Sequence, residues 1–226
     1  MTVTGSSTPV EAGSVPELAF SVEDAGAVEY AAAPILRFAL RIESVGGQPI
    51  RSVLLDTQVQ IAARRRAYDA AAHERLYELF GAKKDWGTTL RTLLWTRTPL
   101  VVPPFTESTV VDLLVPCSYD LEVIASRYFH ALKDGDVPLE FLFSGTVFYS
   151  GAEGMLQTSR ISWEREAEYR LPVRVWRETM EQHFRDTAWL RLSTESFDRL
   201  CAYKSRNALA TWEDTLDSLL RDKEAG

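Results

Sequence analysis

The sequence predicts an antiparallel β-sandwich with one inserted helix and a helical C-terminal appendage. Three features lead to this prediction. Apolar and polar residues alternate in several segments between residues 17 and 172, which is the period of a strand with one buried face. The period changes to that of a helix over 68–80, and the strand pattern stops after Pro172. We therefore expect a flexible tail over 1–16, a mainly-β sandwich domain over 17–172 and a helical appendage over 173–226.

The alternation is clearest at the start of the predicted sandwich. In Ile35–Ile42, apolar residues alternate with Arg37 and Arg41, so the arginines are expected on the outer face. A second alternating segment, Ser52–Ile61, follows a turn at Gly46–Gly47. Two such strands around a short glycine turn predict a hairpin. Further strands are predicted at Glu17–Val22, Thr88–Thr96, Ser108–Val115, Leu139–Tyr149 and Gln157–Leu171.

The inserted helix is predicted from the recurrence of Tyr68, Ala72, Leu76 and Phe80 at four-residue spacing, and Gly81 fits its C-cap. A helical or mixed stretch is expected at Leu121–Leu132.

The appendage is predicted to contain three helices and one short strand. The predicted elements are a helix at Val173–Phe184, a strand at Trp189–Leu192, and helices over about 194–206 and 212–221. Thr211 and Asp214 have the spacing of a capping box at the start of the last helix. Trp163 and Trp176 fit apolar stripes that face a core.

Composition excludes several classes of partner. The 226-residue chain carries a net charge of −7 and has a pI of about 5.1, whereas binding to nucleic acid or to an anionic membrane needs clustered basic residues. No segment has the roughly 20 apolar residues of a membrane span, and residues 1–15 lack the pattern of a signal peptide. We expect a cytoplasmic protein with no nucleic-acid or membrane partner.

Catalytic and metal-binding motifs are not evident in the sequence. Glycine-rich phosphate loops and a G-x-S-x-G motif do not occur, and His73-Glu74 begins like a zinc motif but has Tyr77 where the second histidine belongs. Cys117 and His130 remain as a nucleophile and base if the fold brings them together, and the alternative is a buried core cysteine. We predict a protein that is not an enzyme and has no metal and no cofactor.

Two features suggest contact with a protein partner. Arg64, Arg65 and Arg66 form a basic run that either holds an anion or acidic partner, or is a solvated approach to the inserted helix. Trp86 and Trp212, two of the six tryptophans, fall in a predicted loop and at a helix start, where an aromatic side chain can anchor an interface. These five residues are the candidate partner-binding residues.

Several segments together resemble an actinobacterial family, a domain of unknown function encoded beside [NiFe]-hydrogenase genes. The resemblance extends over about residues 17–221 and is carried by Ala33-Pro34, Leu40-Arg41-Ile42, Arg51-Ser52-Val53, Gln58, Leu79-Phe80-Gly81, the run 115–120, Pro138-Leu139, the run 143–149, Leu171-Pro172-Val173 and Val175-Trp176-Arg177. It supplies no catalytic or binding residue. It implies an accessory protein in hydrogenase assembly or maturation, whose partners are hydrogenase subunits or maturation factors.

A second, local resemblance concerns residues 188–221, which are similar to ribbon-helix-helix antitoxin segments that read DNA with a paired strand. Residues 187–226 contain six basic and seven acidic side chains, which argues against DNA. We expect this segment to serve dimerisation or docking, with a homodimer left open. The remaining alternatives are a ribbon-helix-helix-like transcriptional regulator and a chaperone-like protein that binds a client.

Overall fold

The computed structural model describes residues 15–118, 120, 123–151, 154–185 and 191–224. Within these residues the strands are β1 (Glu17–Ala27), β2 (Ile35–Val45), β3 (Ile50–Ile61), β4 (Leu93–Val102), β5 (Ser108–Pro116), β6 (Asp136–Ser150), β7 (Leu156–Arg160) and β8 (Glu166–Pro172). The helices are α1 (Ala70–Arg75), α2 (Tyr77–Phe80), α3 (Trp86–Thr89), α4 (Ile124–Ala131), α5 (Val173–His183), α6 (Thr194–Arg206) and α7 (Trp212–Glu224). The predicted tail over 1–16 lies outside the described residues except for Val15 and Pro16.

The strands form two antiparallel sheets that share one core. One sheet has the order β1-β2-β5, and the other has the order β4-β3-β6 with both β7 and β8 paired to β6. Buried side chains of both sheets belong to the same hydrophobic cluster, and the rings of Phe38 and Phe141 lie 5.2 Å apart within it. The predicted antiparallel β-sandwich is confirmed.

Strand β2 has the faces that its sequence predicts. Leu36, Phe38 and Leu40 are fully buried. Arg37 points outward and forms ion pairs with Asp24 of β1 and Asp112 of β5 at 3.3 and 3.2 Å. The central strand of this sheet is thereby linked to both neighbours on its solvent face.

The predicted hairpin of β2 and β3 is wrong. Strand β2 pairs with β1 and β5, whereas β3 pairs with β4 and β6 in the other sheet. Gly46 and Gly47 do turn the chain, with φ angles of 93° and 69°, but the turn leads from one sheet to the other. An apolar face is buried equally well in either arrangement, so alternation and a glycine turn do not determine the pairing partner.

The inserted helix is broken at Leu76 into α1 and α2. Asp69 caps α1 by accepting a hydrogen bond from the Ala72 N–H at 2.6 Å. Gly81, with a φ of 72°, is the C-cap of α2, as predicted. The predicted apolar stripe faces the core, since Ala72, Leu76 and Phe80 are buried.

Two predicted strands have different bounds in the structure. Residues 86–89 are helical, so the strand predicted at Thr88–Thr96 begins only at Leu93. The strand predicted at Gln157–Leu171 is divided into β7 and β8 by a turn in which Trp163 is 84% exposed. The predicted core position of Trp163 is therefore wrong, because each half of the segment pairs separately with the long strand β6.

The chain divides into two compact units, Met1–Ala188 and Trp189–Gly226. Helix α5 belongs to the first unit, where Val173, Trp176 and Met180 are buried in the common core, although the sequence suggested that the appendage begins after Pro172. Trp189 and Leu190 of the predicted short strand lie outside the described residues, and Arg191 and Leu192 are not in a strand.

Candidate functional site

The basic run lies in a short 3-10 helix, Ala63–Arg65, and its cap. Arg64 donates through Nη2 to the Gly87 carbonyl at 3.1 Å and through Nε to the Leu90 carbonyl. Arg65 forms ion pairs with Glu168 and, at 3.1 Å, with Glu140.

Arg66 completes the run and holds the turn that precedes β6. Its guanidinium donates to the backbone carbonyls of Asp134 and Asp136 at 2.5 and 2.6 Å. The three guanidiniums of the run thus contact three different parts of the fold. Partner binding by this run stays a prediction, and the contacts give the arginines a role in stabilising the first unit.

Trp86 is a core residue at the start of α3 and does not lie in an exposed loop. It is 8% exposed, and its ring centroid lies 4.4 Å from that of His73 and 5.2 Å from that of Tyr68. Its Nε1–H donates to the Gly81 carbonyl at 3.0 Å. The indole is therefore fully engaged inside the first unit.

Cys117 has the environment of a structural thiol. Burial raises its pKa to about 12, so the thiolate that nucleophilic catalysis requires is scarce at neutral pH. His130, the base suggested for it, is exposed on α4. No group of three or more metal-ligating side chains occurs in the part of the chain that the structure describes.

Helices α6 and α7 form what we call the C-terminal helical pair (residues 193–221), and both begin with a cap. Ser193 accepts a hydrogen bond from the Ser196 N–H at 3.2 Å. Thr211 Oγ1 accepts from the Asp214 N–H at 3.0 Å, while Asp214 accepts from the Thr211 N–H at 3.1 Å. The predicted capping box is confirmed, and the hydrogen bonds from Thr211 lower the pKa of Asp214.

Polar contacts and one aromatic contact join the two helices. The Tyr203 and Ser218 hydroxyls lie 2.8 Å apart, and Lys204 Nζ donates to the Leu209 and Ala210 carbonyls of the connecting loop at 2.7 and 2.8 Å. The ring of Trp212 lies 5.5 Å from that of Phe197. Hydrogen bonds thus contribute to the contact between the two helices and their connecting loop.

The C-terminal helical pair leaves four of its large apolar side chains exposed. Phe197, Trp212, Leu216 and Leu220 are between 39% and 63% exposed. Thr215 is the one fully buried residue among the described side chains of this unit. Trp212 is therefore the one sequence-predicted anchor that lies on an open apolar surface. The sequence prediction did not include Phe197, Leu216 or Leu220, although Trp212, Leu216 and Leu220 recur at four-residue spacing.

The same unit also contains a groove of about 540 Å³ that follows α6. Leu200 and Leu219 contribute apolar surface to it, and Arg199 and Arg206 line it with positive charge. The helical pair therefore offers exposed apolar side chains and a groove lined by two cations.

A second concave site lies in the first unit between α4 and α5. It is a cleft of about 250 Å³ lined by Ser118, Ser126, His130, Trp176, Arg177, Met180 and Glu181. Residues more than 50 positions apart in sequence meet here, so no local motif could have predicted it.

A family model described as a family of unknown function (DUF6084) matches residues 15–226. The chain belongs to DUF6084. The match includes both compact units of the DUF6084 chain. No curated protein is significantly similar to it in sequence.

Solved structures similar to the DUF6084 chain include the CARDB domain of a Pyrococcus furiosus protein in complex with di-metal ions, with 10% identity, a TM-score of 0.29, and coverage of 73% of this chain and 96% of that one. A second is β-glucosidase 3B from Thermotoga neapolitana in complex with α-D-glucose, with 14% identity, a TM-score of 0.25 and coverage of 69% and 17%. A third is the putative ApaA protein of Bordetella pertussis, with 14% identity, a TM-score of 0.23 and coverage of 70% and 95%. Similarity at this level carries no information on ligand or activity.

None of the helices described for the DUF6084 chain is long and apolar enough to cross a membrane. Of the five sequence-predicted partner-binding residues, Arg64, Arg65, Arg66 and Trp86 belong to the first unit and Trp212 to the second.

Proposed function

We propose that the protein acts by binding another protein through its C-terminal helical pair, without catalysing a reaction. The observation that carries the proposal is the uncovered apolar surface of Phe197, Trp212, Leu216 and Leu220. Helices of 13 residues are marginal in water unless tertiary packing stabilises them. A partner that covers this surface would supply that packing, and clustered exposed apolar side chains are typical of interaction sites.

The groove along α6 restricts the partner further. Arg199 and Arg206 line the groove along α6, so a complementary segment carries apolar side chains flanked by acidic ones. An amphipathic helix of the partner, laid into the groove, satisfies both requirements.

The absence of catalysis is proposed on chemical grounds. A nucleophile needs a deprotonated or activated group, and burial keeps the Cys117 thiol protonated. Binding of a partner by the apolar surface of the helical pair requires no activated nucleophile.

The identity of the partner is proposed from sequence resemblance. The resemblance to an actinobacterial family encoded beside [NiFe]-hydrogenase genes supports hydrogenase subunits or maturation factors as partners, with assembly or maturation in the cytoplasm as the process.

The test is affinity purification of the tagged full chain from its native host, with identification of bound proteins by mass spectrometry. The variant Leu220→Glu places a charge on the apolar surface of α7, and Leu156→Glu is the matched control because Leu156 is equally exposed on β7 of the other unit. We expect hydrogenase subunits or maturation factors to co-purify with the wild type and with Leu156→Glu, and to be lost with Leu220→Glu.

Two outcomes would contradict the proposal separately. Retention of all partners by Leu220→Glu would show that the helical pair is not the contact surface. Full hydrogenase activity in a deletion strain, with no hydrogenase protein recovered, would remove hydrogenase as the process. A salt-dependent mobility shift with duplex DNA would instead favour the transcriptional regulator.

A further inference from the structure

The cleft between α4 and α5 combines an apolar floor with charged side chains of both signs. Phe129 of α4 stacks on Trp176 of α5, with ring centroids 5.2 Å apart and planes inclined by 11°. Trp176 and Met180 are one helical turn apart, are both nearly buried, and line the cleft beside this contact. The floor of the cleft is therefore apolar.

The cleft is lined by two side chains that can donate hydrogen bonds to a ligand, Arg177 and Ser118. Arg177 donates through one Nη2 hydrogen to the Leu132 carbonyl at the end of α4. That bond positions the guanidinium, while its Nε and Nη1 have no partner among the described residues. Ser118 Oγ accepts from the Asp120 N–H at 3.0 Å, so its own hydroxyl proton remains free to donate. A guanidinium and a hydroxyl together suit a carboxylate.

The carboxylate of Glu181 lies one turn after Arg177 on α5. Glu181 is exposed and lines the cleft four residues after Arg177. Opposite charges at this spacing commonly pair on a helix, yet no ion pair or hydrogen bond to Glu181 exists in the described part of the chain. The cleft therefore presents both a cation and an anion for a ligand.

We infer that this cleft binds a free α-amino acid with an apolar side chain. The ligand carboxylate lies against Arg177 and Ser118, its ammonium group against Glu181, and its side chain against Trp176 and Met180. A volume of about 250 Å³ is below the roughly 300–1,000 Å³ of pockets for drug-sized ligands, which fits a ligand of this size. An internal peptide segment lacks both charges, and a chain terminus carries one of them. The inference does not depend on the proposed function, because the cleft belongs to the first unit.

The test uses the full chain and isothermal titration with L-leucine, L-methionine and L-phenylalanine. N-acetyl-L-leucine lacks the ammonium charge and L-leucinamide lacks the carboxylate, so each removes one of the two contacts. We expect saturable binding of at least one amino acid and affinities about tenfold lower for both analogues, since a hydrogen bond to a charged group contributes roughly 1.5–3 kcal/mol. Ligand binding should also raise the thermal midpoint.

The variant Glu181→Gln separates this site from a general anion site. We expect it to weaken amino-acid binding about tenfold and not to weaken the binding of N-acetyl-L-leucine, which is an anion without an ammonium group. Glu178→Gln is the matched control, because Glu178 is on the same helix but does not line the cleft. The inference is overturned if none of the three amino acids binds saturably up to about 10 mM. It is equally overturned if N-acetyl-L-leucine binds as well as L-leucine, or if Glu181→Gln leaves amino-acid affinity unchanged.

Discussion

The hydroxyl oxygens of Tyr68 and Tyr128 lie 2.6 Å apart in the core of the first unit. Tyr68 also lies 2.7 Å from the Ala63 carbonyl oxygen. A carbonyl only accepts, so Tyr68 donates its proton to Ala63 and Tyr128 donates to the Tyr68 oxygen. Burial raises the pKa of both phenols, which keeps both protons in place. The pair joins α4 to the segment that leads from β3 into α1.

The direction of these two hydrogen bonds predicts unequal effects of two similar substitutions. Tyr128→Phe removes one donor and leaves Tyr68 bonded to Ala63, so we expect a loss of about 1 kcal/mol in the free energy of unfolding. Tyr68→Phe removes both bonds and leaves the fully buried Tyr128 hydroxyl without an acceptor, so we expect a loss of about 2–3 kcal/mol. Urea denaturation of both variants measures the difference. Equal losses would show that the donor order is wrong.

The same pair predicts a pH dependence above neutrality. A raised pKa means that the folded state holds the phenolic proton more tightly than the unfolded state. The resulting stabilisation is complete below the ordinary tyrosine pKa of about 10 and falls as the pH rises beyond it. We expect the free energy of unfolding to decline less steeply above pH 10 in Tyr128→Phe than in the wild type. Tyr77→Phe, at an exposed position, should leave the wild-type slope unchanged.

A close approach of two strands makes Gly145 irreplaceable. Gly145 of β6 has a φ of 142°, and a Cβ atom there would lie 2.0 Å from the Leu54 carbonyl oxygen of β3. We expect Gly145→Ala to reduce the free energy of unfolding by about 3 kcal/mol or more, through backbone strain and displacement of a paired strand. Gly26→Ala on β1 is the control, because a Cβ there meets nothing within 4 Å. Similar midpoints of denaturation for the two variants would contradict this reading of the strand pairing.

Strand β2 illustrates how much of the fold can be predicted from sequence. Its alternation correctly places Leu36 and Phe38 inside and Arg37 outside, because one buried face requires a period of two. The same pattern does not reveal that β2 and β3 belong to different sheets. Pairing depends on contacts between residues distant in sequence, and these leave no local periodicity.

The candidate sites show the same limit. The capping box at Thr211 and Asp214 was predictable because its hydrogen bonds are local. The exposure of the tryptophan side chains was not predictable. Trp86 is buried by an aromatic cluster, and Trp163 is exposed because it lies in a turn. The basic run Arg64–Arg66 was a candidate binding site because three positive charges are adjacent. The carbonyl and carboxylate groups that bind these side chains come from other parts of the chain, so the sequence did not reveal them.

The capping box also links local helix stability to the proposed binding surface. Thr211 and Asp214 satisfy backbone N–H groups at the start of α7, the helix that carries Trp212, Leu216 and Leu220. Thr211→Ala removes the hydroxyl that accepts from the Asp214 N–H, so the first turn of α7 should fray. We expect lower helix content by far-UV circular dichroism and weaker partner recovery, although Thr211 need not contact the partner.

Ser205→Ala is the matched control for this prediction, because it removes an exposed hydroxyl inside α6 and alanine favours a helix interior. Because the pKa of Asp214 is lowered in the folded state, its contribution is present above the ordinary aspartate pKa and is lost as the pH falls through the lowered value. The wild type should therefore lose helix content in this acidic range, and Thr211→Ala should lose less. Partner recovery by Thr211→Ala at the wild-type level, despite reduced helicity, would contradict the prediction that partner binding depends on the capped first turn of α7.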